Sequence, residues 1–190
     1  ISDEFLELEV DPTVSDTVVM VGRLVEQKNH IMMLKAVSLL RDQGRIVKVL
    51  IYGDGDLRQD ISNEIKQAGL SDICKLMGST EDVPSVFSKA GVYVLTSRYE
   101  GQPNSLLEAM ASGLPCISTD CPTGPSDFIS DGENGYLVSI DDVPTLAERV
   151  GELLASPSLR SRLGINAKKS ILNACSPKML TDRLIDAFIH

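Results

Sequence analysis

The chain has 190 residues, 43% of them apolar and 24% charged, an ordinary balance for a globular domain large enough to bury a sizeable core. Net charge is −9, and Asp3, Glu4, Glu7, Glu9, Asp11 and Asp16 carry six of those negative charges with no base among the first 16 residues. The body is therefore near balance. It lacks the broad basic field a nucleic-acid partner needs, while a small phosphate ligand asks only for a local basic site.

Residues 1–16 read as an acidic leader or linker, and 17–176 as the domain proper. The domain opens on an apolar, β-branched run at 17–22, and similar runs follow at 47–53, 73–77, 92–96, 116–119 and, more weakly, 135–138. They are too continuously apolar to alternate between core and solvent, as expected of strands covered on both faces. Helical stretches separate them. In the first, Met33, Leu34, Val37 and Leu40 share a face and Gly44 follows as a stop. The others are expected at 57–68, 82–90, 105–112, 124–129, 143–155, 157–169 and 177–190. Such alternation predicts an α/β fold, a doubly wound parallel sheet of about six strands with helices on both faces and ligands at the carboxyl ends of the strands.

Cys74, Cys116, Cys121 and Cys175 show no C-x2-C spacing, and two histidines cannot complete a zinc set, so no metal site is assigned. Reduced, buried thiols of a cytoplasmic protein are expected. No apolar run approaches the length of a membrane span.

On a doubly wound sheet the loops after the strands form the ligand edge. The first, Gly22-Arg23-Leu24-Val25-Glu26-Gln27-Lys28-Asn29, brings two cations near a helix start. They form either a diphosphate site or a pair of solvated surface charges, and the residues alone do not choose. Gly53-Asp54-Gly55 allows close approach of a ligand or makes a plain turn. It is not the G-x-G-x-x-G dinucleotide pattern, and no P-loop sequence occurs. The most informative segment is Glu100–Glu108, EGQPNSLLE. Pro103-Asn104-Ser105 reads as a helix start, with Glu108 in the first turn. Glu108 suits the vicinal hydroxyls of a ribose. It also completes an S-x-x-E capping box with Ser105, the reading favoured from the residues alone.

Gly22-Arg23-Leu24 with Lys28, then Glu100 and Glu108 at E-x7-E spacing with Ala109-Met110-Ala111-Ser112-Gly113-Leu114-Pro115 behind them, and then Asp131-Gly132-Glu133-Asn134-Gly135-Tyr136-Leu137-Val138, stand in an order that resembles GT4-type retaining glycosyltransferases of the GT-B fold. The resemblance runs from about residue 17 to the end of the chain. Asp120-Cys121-Pro122-Thr123-Gly124-Pro125 looks like a subset that builds bacterial surface polysaccharides. Two departures are noted: Gln102 stands where many relatives have Phe or Leu, and Asp127 where they often have Glu.

The resemblance implies the nucleotide-sugar-binding, Rossmann-like half of the enzyme. Arg23 and Lys28 would hold the donor diphosphate, and Glu100 would contact the donor sugar and the reacting face. Glu108 would take the ribose hydroxyls in place of, or alongside, its capping role. Gly22, Gly53, Gly101, Gln102, Pro103, Asn104 and Ser105 would line the sugar and phosphate pocket, and Met77, Gly78 and Thr80 the base. No cofactor is implied. The donor would be a nucleoside-diphosphate sugar, with a UDP-sugar the working assignment, and transfer would proceed with retention and without metal. A glycan or lipid-linked acceptor would bind an N-terminal domain that the chain does not include, so that this fragment by itself transfers nothing. Residues 177–190 resemble the helix that packs back on that domain. The full-length enzyme would be cytoplasmic, with peripheral association at the inner face of the membrane. Two other functions remain open: a non-catalytic nucleotide-sugar-binding module and a GT-B-like sugar-nucleotide epimerase.

Overall fold

The computed structural model describes residues 1–174. Six parallel strands form one sheet: β1 (Thr17–Val21), β2 (Lys48–Tyr52), β3 (Cys74–Gly78), β4 (Val92–Leu95), β5 (Cys116–Thr119) and β6 (Tyr136–Val138), in spatial order β3-β2-β1-β4-β5-β6. The chain builds outward from β1 to β3, then returns to lay β4 against the free edge of β1. The strand order reverses there, where the chain leaving β1 goes on to cover one face of the sheet and the chain leaving β4 the other.

Each strand expected from the sequence is present within one or two residues. Their two-sided burial is direct: Val18 and Met20 enter one core while Val19, between them, enters the other. Helices α2 (His30–Asp42), α3 (Arg58–Gln67) and α6 (Val143–Ala155) cover the first face. Helices α4 (Val83–Phe87), α5 (Asn104–Ala111) and the latter part of α7 (Pro157–Ala174) cover the second. Asp82 and Asp142 cap α4 and α6 by accepting the backbone N–H groups of Ser85 and Thr145 at 3.0 and 3.1 Å.

Three expectations about the elements are revised. The helix at 124–129 is only a 3-10 turn, Pro125–Asp127. Thr123 and Gly124 before it both take left-handed backbone (φ 57° and 114°), which no α-helix contains. Helix α4 is shorter than 82–90, and α7 runs past 169. The acidic stretch 1–16 packs onto the domain. Its helix α1 (Asp3–Glu7) inserts Phe5 against Phe87, with ring centroids 5.9 Å apart. Arg160, 1% exposed, donates to the carbonyls of Pro12, Thr13, Leu153 and Leu154 and pairs with Asp16 at 3.0 Å. A buried guanidinium with its donors used by carbonyls fixes the path of the chain into β1. The expected helix at 177–190 lies outside the described residues. Cys74, Cys116 and Cys121 are buried free thiols. Among the described residues no helix is long and apolar enough to cross a membrane.

Two predictions follow from packing at the ligand edge. A Cβ on Gly53 would sit 1.9 Å from the Gly22 carbonyl oxygen, and the residue's φ of 139° is itself hostile to side chains. Gly53→Ala is expected to cost at least about 2 kcal/mol, read as a lower urea midpoint. An unchanged midpoint would contradict the contact between the two loops. His30, at the start of α2, is buried with its Nδ1 unpartnered, and burial, helped by the nearby Lys28 charge, lowers its pKa from 6.5 to about 4. Between those two pH values the unfolded chain binds a proton that the folded chain refuses, so stability falls as pH drops through that window. The melting temperature of His30→Gln is expected to change less between pH 7 and pH 5 than that of the unsubstituted protein.

Candidate functional site

The site is built from the loops at the carboxyl ends of β1, β2, β3 and β4. Gly22 N–H donates to the Tyr52 carbonyl at 3.0 Å, Leu24 N–H to that of Asp54 at 2.9 Å, and Gly53 N–H to that of Gly78 at 2.8 Å. The first three loops are thereby joined edge to edge. Gly53 and Gly55 are needed for this backbone-to-backbone contact, so the close approach read in the sequence is to the β1 loop itself. Asp54-Gly55-Asp56, in the loop after β2, is an Asp-x-Asp triplet. Its first carboxylate accepts the Gly55 N–H at 2.8 Å and stands 3.9 Å from Arg58, an exposed turn-stabilising arrangement.

The β1 and β4 loops are joined more tightly. Thr96 Oγ1 donates to the Lys28 carbonyl, Arg98 N–H to the Gln27 carbonyl, and Gln27 Nε2 to the Tyr99 carbonyl, each at 2.8 Å. Across this seam Lys28 Nζ meets Glu100 Oε1 at 2.6 Å, and the lysine stem lies over Gly22. The lysine side chain is 15% exposed and the glutamate 4%. Ser97 Oγ, fully buried, donates to the same Oε1 at 2.5 Å. One carboxylate oxygen is thus held by two partners, and the pair sits at the reversal of strand order.

Around the pair the other sequence-designated residues take distinct places. Arg23 is exposed, and its side chain has no hydrogen-bond or ion-pair partner among the described residues. It borders a hollow of about 230 Å³ with Gly22, Gly53, Ser79 and Thr80. Met77 is half exposed on the edge strand β3, and Gly78 is left-handed with open space above it. Gly101, Gln102 and Asn104 are exposed, whereas Pro103 is buried. Helix α5 starts at Asn104, and the amides of Gly101, Gln102 and Ser105 donate to no acceptor among the described residues.

The capping-box reading of Ser105 and Glu108 is overturned. The cap position is Pro103, with no side-chain hydrogen bond, and Ser105 already lies inside the helix, where its Oγ accepts the Tyr93 hydroxyl at 2.8 Å. Glu108 is accordingly two residues further into the helix than the capping box requires. Its carboxylate has no hydrogen-bond partner among the described residues, and partial burial raises its pKa. A carboxylate that stabilises nothing within the fold remains free to accept a ligand's hydroxyls.

Several residues that the sequence did not mark support the site. Ser97 orients Glu100, and Thr119 Oγ1 holds the Ser97 carbonyl. Thr123 Oγ1 donates to the Glu100 carbonyl, and Gly124 leaves room for the Pro103 ring, which a Cβ there would meet at 2.9 Å. The Thr-Gly doublet inside Asp120–Pro125 was the available signal, since two turn residues in a row beside prolines mark a shaped loop. Among the described residues no group of three or more His, Cys, Asp or Glu side chains is arranged to hold a metal ion.

Comparison with known proteins places this geometry. The family described as "Glycosyl transferases group 1" matches residues 7–170. A poly(ribitol-phosphate) alpha-N-acetylglucosaminyltransferase of Staphylococcus aureus is 29% identical over 168 residues, 88% of this chain and 34% of that protein. A Campylobacter jejuni alpha-1,4-N-acetyl-D-galactosaminyltransferase acting on an undecaprenol-linked glycan is 35% identical over 153 residues, 80% of this chain and 42% of its own length. Among solved structures, a mutant of Staphylococcus aureus TarM in complex with Fondaparinux, alpha-GlcNAc-glycerol and UDP superposes with a TM-score of 0.87 at 28% identity, over 95% of this chain and 36% of TarM. The chain thus spans between a third and a half of the length of these relatives. With its parallel sheet, its seam between the β1 and β4 loops and the motifs they carry, the chain belongs to the group 1 glycosyl transferases.

Proposed function

We propose that this chain is the donor-binding half of a retaining glycosyltransferase that transfers a sugar from a nucleoside-diphosphate sugar, a UDP-sugar by preference, to a growing surface glycan. The observation that carries the reading is the Lys28–Glu100 contact at the strand-order reversal, flanked by the unpartnered Arg23 and the free amides before α5. The UDP in the TarM complex supports the choice of nucleotide, and the names of the relatives support the class of product.

In this reading Arg23 and Lys28 hold the diphosphate. Lys28 has three N–H donors, so it reaches a phosphate oxygen while keeping Glu100. As the bond from the anomeric carbon to the phosphate oxygen breaks, the electron pair moves onto the diphosphate. The two cations and the N-terminal amides of α5 stabilise that charge, the part a divalent cation plays in other transferases. Glu100 Oε1 is committed to Lys28 and Ser97, which leaves Oε2 to receive a hydroxyl of the donor sugar. Glu108 receives the ribose hydroxyls, and the Met77–Thr80 loop packs against the base. Retention places the acceptor hydroxyl on the face the diphosphate leaves. The departing oxygen is then the nearest base for the acceptor's proton. The acceptor comes from the N-terminal half of the full-length enzyme, which works at the cytoplasmic face of the membrane.

Calorimetric titration of the chain with UDP, GDP and ADP is expected to show weak binding that favours UDP, and no transfer. Arg23 is exposed, so Arg23→Ala should leave stability within about 0.5 kcal/mol. It should nevertheless lose UDP affinity, and in the full-length enzyme about 10²–10³-fold in rate. Full activity in that variant would remove Arg23 from the site. Glu108 is tested by the ribose. The unsubstituted protein should prefer UDP to 2′-deoxy-UDP, and Glu108→Ala should bind the two alike; an undiminished preference in the variant would refute the ribose role.

A further inference from the structure

We propose that Asp141 is a positioning residue for the Lys28–Glu100 pair, its carboxylate tying the β4 loop to the β1 loop from the start of α6. The inference rests on the donor-site reading above. It begins with backbone geometry. Among the described residues three that are not glycine have positive φ: Asn29 at 47°, Thr123 at 57° and Asp141 at 63°. Left-handed backbone disfavours any residue with a Cβ, although Asn and Asp tolerate it best, and such residues persist where something else requires them.

All three border the same seam. Thr123 holds the Glu100 carbonyl. Asn29 follows Lys28 directly and donates from Nδ2 to Asp141 Oδ1 at 3.0 Å. Asp141 also accepts a two-pronged contact from Arg98, Nη1 to Oδ2 at 2.6 Å and Nη2 to Oδ1 at 3.0 Å. Arg98 lies two residues before Glu100, and its own N–H is bonded to the Gln27 carbonyl, one residue before Lys28. One carboxylate therefore touches the neighbours of both functional side chains while contacting neither. Glycine would fit a φ of 63° without strain, and the carboxylate is what glycine lacks.

The Arg98–Asp141 pair is exposed, 41% and 54% by side chain, so it adds little to global stability. Its effect is on the register of two loops that must keep Nζ and a carboxylate in line. Fork geometry suits this, since a guanidinium facing a carboxylate fixes angle as well as distance.

The test is Asp141→Gly in the chain, which removes the carboxylate and relieves the backbone together. The melting temperature should hold or rise. Hydrogen exchange at the Arg98 amide should speed up by as much as about fivefold, and UDP should bind weaker by a similar factor, the range open to one exposed ion pair. Arg98→Ala should reproduce both effects, and the double variant should be no worse than either single one. Asp141→Asn, which keeps an acceptor oxygen and tolerates the backbone, should recover part of the loss. Unchanged exchange in folded Asp141→Gly, or additive losses in the double variant, would overturn the proposal. If Asp141→Gly fails to fold, Arg98→Ala with Asp141→Asn carries the same comparison. Should the unsubstituted protein bind no UDP, the donor-site reading fails while the exchange comparison still decides whether the clamp exists.

Discussion

A lysine amine and a glutamate carboxylate meet at 2.6 Å between two loops that are 72 residues apart in the chain, and the rest of the ligand edge is arranged around that contact. Burying such a pair is weak evidence for stability, because desolvation of the two charges offsets much of their attraction. Its value is positional. Removing either partner would leave the other charge buried and unpaired, so the loops after β1 and β4 are held to one relative placement.

That placement is over-determined from several directions. Main-chain bonds join the loops of β1, β2 and β3, and close backbone contact at Gly53 leaves no room for a side chain. Side-chain bonds from Thr96, Ser97, Gln27 and Thr123 then seat the β4 loop against them. The contrast lies with the side chains of Arg23 and Glu108, which have no partner among the described residues. Polar groups that a structure holds rigid and polar groups that it leaves unsatisfied play different parts in a binding site. The first define its shape, and the second supply the bonds a ligand completes.

The matched region covers most of the chain but only 34% to 42% of the relatives compared above, so one sheet and its edge are what this chain shares with the larger enzymes. A glycosyl transfer needs both a donor held by its diphosphate and an acceptor brought to the anomeric carbon. In the proposed reading, the residues at this sheet edge address the first requirement.

The six strands were legible because a sheet covered on both faces demands continuous β-branched apolar runs, and no other element of this length does. Arg23, Lys28, Glu100 and Glu108 were legible as candidates from residue type and order along the chain. Their assembly was not. Sequence spacing suggested a local capping box for Ser105 and Glu108, whereas the fold gave Ser105 to the Tyr93 hydroxyl and left Glu108 unbonded. At Gly53 the spacing left a ligand approach and a plain turn both open, and the fold sets the residue in close backbone contact with the Gly22 carbonyl at the rim of the hollow beside Arg23. The contacts of Asn29, Thr123 and Asp141 could not be read from the sequence, because their partners are distant in it or are main-chain atoms. The sequence by itself determined the layers and the inventory of charges, through periodicity and composition that act over a few residues. Only the tertiary structure decided which charges meet, because crossover connections bring together loops whose contacts depend on strand order, a property of the whole sheet.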